Sequence, residues 1–462
     1  MLINPIRVLG LSLAVSSSLS LAASYDSKKD PANWTKKIGK EFFKPIEKQE
    51  VISYTDMLNA GTCSASGSEC EYEAGNINGP GVMRIPSFIP TDKRASSDAK
   101  YYLYFAGHDG HYIKMAYSNS MGPDADWTIY NTKPYNSSTK SPRGVMDLFT
   151  HKNKKIESVY KTGDHRNGHI ASPFPMVDKT NKRIVLFYHG EGTDGHKQAV
   201  ATSQWGLNFN NENADERHSS FNDLGKDDPG FGSRSKRLGQ PYFQVFEVAD
   251  KTFAYATKGV FAKAKSDVSM DGLDNGDRKS NDRKKRGIFR SHEQWEMVSG
   301  SSSPFIKTVT EMTKANGIGS KDPRHGSVFV DGDQVYVAYT IIGTNPESVF
   351  VSKYDLSGLS TNDKRDPTKW HNKLVGSQLL LTPSDYFETY DNNNYIQPVP
   401  SQSGQEDDFV NELRDPTFFL DDSNENGEWD DAESMYLFYA YGGESGIAKV
   451  KLEKGANFSD KK

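Results

Sequence analysis

From residue 76 to the C-terminus, short runs dense in aromatic and β-branched residues alternate with clusters of Gly, Pro, Asn, Asp and Ser. Tyr101-Tyr102-Leu103-Tyr104-Phe105-Ala106, Arg183-Ile184-Val185-Leu186-Phe187-Tyr188, Gln334-Val335-Tyr336-Val337-Ala338-Tyr339 and Met435-Tyr436-Leu437-Phe438-Tyr439-Ala440 are of strand length. Each gives way to Gly, His or Thr and then to a further strand-like run. Helical spacing of apolar residues is scarce, and residues 307–314 predict only one or two helical turns. Many short strands without strand–helix alternation predict an all-β chain, either a propeller or a double sandwich.

A weak internal repeat favours the propeller. Tyr104-Phe105-Ala106 leads through a Gly-containing loop to Met115-Ala116-Tyr117, and Phe187-Tyr188-His189 leads to Ala199-Val200-Ala201. Ala338-Tyr339-Thr340 leads in the same way to Phe350-Val351-Ser352, and Phe438-Tyr439-Ala440 to Ile447-Ala448-Lys449. Such strand–loop–strand units read as successive blades. Two polar stretches, 208–237 and 266–290, read as inserted loops. The second packs Arg278, Lys279, Arg283, Lys284, Lys285, Arg286 and Arg290 closely, a run that reads as a solvated loop or as a patch for a polyanion.

The N-terminus carries an address. Arg7 precedes an apolar stretch, and Ser20-Leu21-Ala22 offers small residues for cleavage, so residues 1–22 predict a signal peptide and a secreted or periplasmic protein. Residues 23–75 are polar and irregular and read as an N-terminal arm, with a propeller domain over 76–462. Cys63 and Cys70 stand in a Gly/Ser loop, where an oxidising compartment would let them close a small disulfide ring. The net charge of −5 over 462 residues gives no global attraction to nucleic acid. After the first 25 positions no apolar run of about 18 residues predicts a membrane span.

Several constellations could carry chemistry. Residues 422–433 fit a twelve-residue calcium loop: Asp422, Asn424, Asn426, Glu428, Asp430 and Glu433 offer oxygens, and Gly427 permits the sharp turn. Strand-like flanks place this loop in a hairpin, with calcium as structural support; the competing reading is an acidic hairpin tip without metal. Histidines recur beside glycine: His108, His111, His169, His189 and His325. His169 and His189 bracket a predicted hairpin, so two imidazoles can share one rim as proton acceptor and orienter. Tyr242 follows a Gly-x-Pro turn at a strand start and Lys258 lies sixteen residues on, a spacing that could lower the tyrosine's pKa or simply place an aromatic in the core. Arg414-Asp415-Pro416 looks like the triplet of propeller glycosidases, or a turn with an Arg–Asp pair.

Taken in order, these pieces resemble the secreted seven-bladed β-propeller ulvan lyases, which cleave a sulfated algal polysaccharide. The resemblance spans most of the chain. It rests on Tyr101 to His108, Tyr112 to Tyr117, Gly168-His169-Ile170-Ala171-Ser172-Pro173, Phe187-Tyr188-His189-Gly190, Ala201-Thr202-Ser203, Pro241-Tyr242-Phe243, Arg324-His325-Gly326, Leu413-Arg414-Asp415-Pro416 and Gly443-Glu444-Ser445-Gly446-Ile447. It implies a seven-bladed all-β propeller that works as a polysaccharide lyase. His169 and His189 would be active-site histidines and Tyr242 a proton-transfer group, with Lys258, Arg324 and His325 against the substrate. Lys258 stands where the family usually has an arginine, keeping the charge but losing the bidentate fork.

The chemistry suits β-elimination from a uronic acid, which needs a cation against the carboxylate as charge develops, a base for the C5 proton and an acid for the leaving oxygen. No cofactor is needed for this. The expected partner is an acidic sulfated polysaccharide met by a monomer. A propeller glycoside hydrolase using Asp415 with Glu444 or Glu347, and a non-catalytic glycan-binding propeller, are the alternatives.

Overall fold

The computed structural model describes residues 26–60, 76–108, 110, 112–130, 144–147, 170–192, 195–209, 244–256, 259–263, 295–299, 303–391, 394–396, 408–424 and 427–458. Antiparallel sheets follow one another along the chain. The first holds Asn78–Arg84, Tyr101–Ala106, Tyr112–Ser118 and Thr128–Ile129, with Met146–Asp147 added beside the third of these. The second holds Ile170–Asp178, Arg183–Gly192 and Gly195–Ser203. The third holds Gln244–Val248, Lys251–Ala256, Gly259–Lys263 and Trp295–Ser299. The fourth holds Pro323–Asp331, Gln334–Ile341, Val349–Asp355 and Leu374–Leu381. The fifth holds Asp408–Leu420, Met435–Gly443 and Gly446–Lys454.

The fifth sheet is completed by Phe43–Ile52, which pairs antiparallel with Gly446–Lys454. The segment read as a lead-in arm thus supplies an outer strand. Aromatic packing holds it there: the Phe43 ring lies 5.1 Å from Tyr336 and 5.5 Å from Phe458. Phe42 and Phe43 are fully buried, and each is worth about 1.5–3 kcal/mol of apolar burial.

The first strands of the sheets pack on one another in a propeller-like arrangement. Asn78–Arg84 touches Ile170–Asp178 and Asp408–Leu420; Asp408–Leu420 touches Pro323–Asp331, which touches Gln244–Val248. Four sheets have four or more strands, one has three, and Tyr390–Asp391 pairs with Asn394–Tyr395 in a two-stranded ribbon, so the described residues do not form the seven blades that the family resemblance implies. The sequence repeat explains the difference. Its four copies are the second and third strands of the first, second, fourth and fifth sheets, and Phe253-Ala254-Tyr255-Ala256 is the same strand in the third. One repeat makes one sheet, so repeats rather than chain length count the blades.

The predicted turns at 307–314 are a longer helix, Pro304–Ala315. Pro304 suits the first helical position, and Phe305, Val309 and Met312 bury one stripe against the third and fourth sheets. Among the described residues no helix is long and apolar enough to cross a membrane.

A local irregularity recurs at the start of the first strands. Register shifts fall between Asn78 and Gly81, Ala171 and Phe174, Pro323 and Gly326, and Arg414 and Thr417. Three of the four contain a residue of positive φ followed by proline: Gly79 (62°), Ser172 (53°) and Asp415 (53°). A proline has no N–H for the ladder and is tolerated at a bulge. The bulge turns the preceding residue out of the pleat, and for Ser172 and Asp415 that conformation carries strain of the sort stored at functional sites.

Candidate functional site

The first strands bring a buried charged cluster to their starts. Asn411-Glu412-Leu413-Arg414 alternates, so Glu412 and Arg414 share one face of the strand. Arg414 is fully buried and ties three carboxylates: Nη2 lies 2.6 Å from Glu412 Oε2, Nη1 lies 3.1 Å from Glu444 Oε1, and Nε lies 3.7 Å from Glu347 Oε2. Arg324, on the first strand of the fourth sheet, adds Nε 3.4 Å from Glu347 Oε1.

Two histidines sit against this cluster, each with a carboxylate at Nδ1. His108 Nδ1 is 3.1 Å from Glu444 Oε1. His325 Nδ1 bonds Asp415 Oδ1, and the other oxygen, Oδ2, accepts the Gly79 N–H at 3.2 Å. Asn76 ties the first of these pairs on both sides. Its amide donates to Glu444 Oε2 at 2.9 Å, and its carbonyl oxygen accepts the His108 backbone N–H at 2.6 Å. The imidazoles are the wetter partners: their side chains are 23% and 11% exposed, against 1% for both Glu444 and Asp415.

Electrostatics separate these groups. Burial lowers the His325 pKa, with Asp415 pulling the other way, so the ring is neutral at neutral pH. For Glu444, burial would raise the carboxyl, but His108, then Arg414 and Asn76, hold it well below the usual range. Glu412 goes the opposite way: burial, with Glu347 beside it, outweighs Arg414 and pushes it up to about 8. Its Oε1 has no hydrogen-bond partner among the described residues, so a negative charge there would be poorly supported. Four carboxylates against two guanidiniums leave a surplus of two negative charges, which one proton on Glu412 reduces to one.

The sequence-predicted residues divide accordingly. Arg324 and His325 lie in the cluster, as do Asp415, Glu444 and Glu347 of the hydrolase alternative. His189 is buried on the second sheet, register partner of Ala171 and one residue along from the Ser172 bulge. His169, Tyr242 and Lys258 lie outside the described residues, as do the signal peptide, Cys63, Cys70 and Asn426. Asn76 and Glu412 were not foreseen, although charged residues alternating with apolar ones in 411–414 would have signalled Glu412.

In the 422–433 loop, Asp422 Oδ2 accepts the Gly427 N–H at 2.7 Å and Asn424 donates to Asp430 Oδ2 at 2.8 Å. Glu433 accepts from the Ser423 and Asp430 backbone N–H groups at 3.1 and 3.3 Å. Glu428 is exposed. Among the described residues no group of three or more His, Cys, Asp or Glu is arranged to hold a metal ion. The donors are hard oxygens of the kind calcium takes, but Glu433 would have to leave its backbone partners to ligate.

No family model matches the chain. An uncharacterised protein of Acanthamoeba polyphaga mimivirus is 24% identical over 386 residues, covering 82% of this chain and 84% of that protein. Among solved structures, a glycosyl hydrolase from Bacteroides ovatus is 14% identical with a TM-score of 0.39, over 89% of this chain and 91% of its own. An exo-1,5-α-L-arabinanase from a bovine ruminal metagenomic library is 10% identical (TM-score 0.39; 83% and 94%). An N-acetylgalactosamine deacetylase from F. plautii is 11% identical (TM-score 0.41; 89% and 96%).

Proposed function

We propose that the protein is a secreted carbohydrate-active enzyme that cleaves a uronic-acid-containing, sulfated polysaccharide such as ulvan by β-elimination. One observation supports this above the others: at the starts of the first strands the carboxylates are buried and the imidazoles paired with them are the more exposed partners. A glycosidase needs two carboxyl groups against the sugar, whereas elimination needs a base for a carbon-bound proton and an acid for the leaving oxygen.

His325 suits the base. It is neutral, and its Nδ1 is held by Asp415, which orients the ring and supports the imidazolium that forms. The C5–H bond breaks toward the base, the C4–C5 double bond forms, and the C4–O bond breaks as the leaving oxygen takes a proton. Arg324, and Lys258 by the family resemblance, would offset the carboxylate charge that grows as the C5 proton leaves. His169, His189 and Tyr242 are proposed to complete the proton relay. Calcium in the 422–433 loop, if taken up, would be structural and touch no step of this reaction.

A hydrolase reading has one observation of its own. Glu412 is pushed up while Glu444 is held down, the split that separates a general acid from an ionised partner. The test is incubation with ulvan and other uronate polymers, following ultraviolet absorbance of the unsaturated product and reducing ends together. A rise in absorbance that is lost in His325→Ala and Tyr242→Phe supports elimination. New reducing ends without absorbance would transfer the reading to hydrolysis, and neither signal would sink both.

A further inference from the structure

Tyr386 and Tyr390 are the exposed large hydrophobic side chains among the described residues, at 60% and 38%. They stack on each other, ring centroids 4.7 Å apart and planes 11° from parallel. The pair thus presents one stacked aromatic surface to solvent.

The local chain is built to hold that face in place. Tyr386 opens the short helix Tyr386–Thr389, which is closed by a capping box between Asp385 and Glu388. Glu388 is buried and accepts from the Tyr439 hydroxyl at 2.8 Å, and the Phe387 ring stands edge-on to Tyr441 at 5.1 Å. Tyr441 is the register partner of Leu413, the neighbour of Arg414. The helix is thus pinned to the end of the fifth sheet that carries Arg414 and Glu444.

The surrounding charge narrows the ligand. Asp385 and Glu388 both reach Lys48, at 2.6 and 2.9 Å, and Glu50 bonds the Tyr441 hydroxyl. Among the described residues one ammonium meets these carboxylates, and the negative surplus, with Asp385 next to Tyr386 in the chain, disfavours a sulfate or uronate there. An uncharged pyranose has no such penalty, and its C–H face matches an aromatic surface with polar groups at the edge.

We propose that Tyr386 and Tyr390 form a sugar-stacking subsite for an uncharged pyranose residue of the same polysaccharide whose uronate is processed beside Arg324 and His325. This rests on the elimination reading for the second half of the statement but is tested by binding alone. The full chain is titrated calorimetrically with glucuronoxylan, which carries uncharged xylose and uronate together, and with polygalacturonate, in which every residue is charged. Tyr386→Ala/Tyr390→Ala should weaken glucuronoxylan binding about tenfold and leave polygalacturonate binding unchanged. Tyr386→Phe/Tyr390→Phe, which keeps the rings, should bind like the wild type. Equal losses on both polymers would overturn the choice of an uncharged sugar, and no loss on either, or no binding by the wild type, would overturn the subsite. The absorbance assay on the same samples shows separately whether elimination stands.

Discussion

Glu412 sets two physical effects against each other, and one substitution decides between them. Burial favours the neutral carboxyl, while Arg414 at 2.6 Å favours the carboxylate. If burial wins, as the rise from 4.5 to about 8 says, the folded protein keeps a proton that the unfolded chain releases. Stability then declines as pH rises from about 4.5 to about 8 and levels off above, a total of about 4–5 kcal/mol at most. With an unfolding entropy of about 2.1 cal/mol/K per residue, each kcal/mol moves Tm by about 1 °C in a chain of this length. Glu412→Gln keeps the shape and removes the proton. Its Tm should equal that of the wild type at about pH 4 and below, exceed it by about 1–2 °C at pH 5–6, and exceed it by about 4–5 °C at pH 9. Differential scanning calorimetry across that range reads the difference directly. Were the Arg414 pair ionised instead, Glu412→Gln would break a buried ion pair and cost about 3–5 kcal/mol at every pH above 5. A uniformly lower Tm for the variant would refute the reasoning.

Four further outcomes are expected. His325→Ala should lower kcat/KM by about 10²–10⁴-fold, and Asp415→Asn, which removes the carboxylate that raises the His325 pKa, should move the acid limb of the kcat/KM–pH profile to lower pH; an unmoved limb would show that Asp415 does not govern the base. Gly81→Ala should destabilise by about 1–3 kcal/mol or more, since a Cβ there would lie 2.2 Å from the Pro173 carbonyl oxygen, and a variant melting like the wild type would mean the first two sheets can part cheaply. Calcium at a hundred times its Kd should raise Tm by about 3 °C and the rise should vanish in Glu433→Gln, whereas a rise that survives that change places the ion elsewhere.

Much of the scaffold was legible because strand signals are local. Tyr101–Ala106, Gln334–Ile341 and Met435–Gly443 are strands whose aromatic and β-branched content could hardly serve anything else. The seven blades implied by the family resemblance are not formed by the described residues, whereas the internal repeat marks one unit per sheet. The outer strand Phe43–Ile52 was not legible for a different reason. Its run Phe43-Lys44-Pro45-Ile46-Glu47-Lys48-Gln49-Glu50 is half charged and carries a proline, and only pairing with residues some 400 positions away makes it a strand. The same distance hid the site. Asp415 was noticed for its triplet, but the His325 that meets it lies 90 residues earlier, and Glu444 meets an asparagine 368 residues earlier.

Those long-range pairs also show what the charges are for. Most of them cross between neighbouring sheets: Asp415 to Gly79 and His325, Glu444 to Asn76 and His108, and Arg414 to Glu347, with Arg324 bracing Glu347 from within the fourth sheet. Elsewhere the molecule seals its joints with rings, as Phe42, Phe43, Tyr336, Trp429 and Phe458 do beneath the outer strand. Apolar packing of that kind is at least as stabilising as a buried ion network of similar volume, because it pays no desolvation penalty. Stability alone therefore gives no reason to place four carboxylates, two guanidiniums and two imidazoles where the first strands begin. Strained backbone at Asp415 adds to the cost at the same spot. Both costs fall together where the first strands begin and the wetter imidazoles sit, and that coincidence is the reason for placing the proposed acid–base chemistry there.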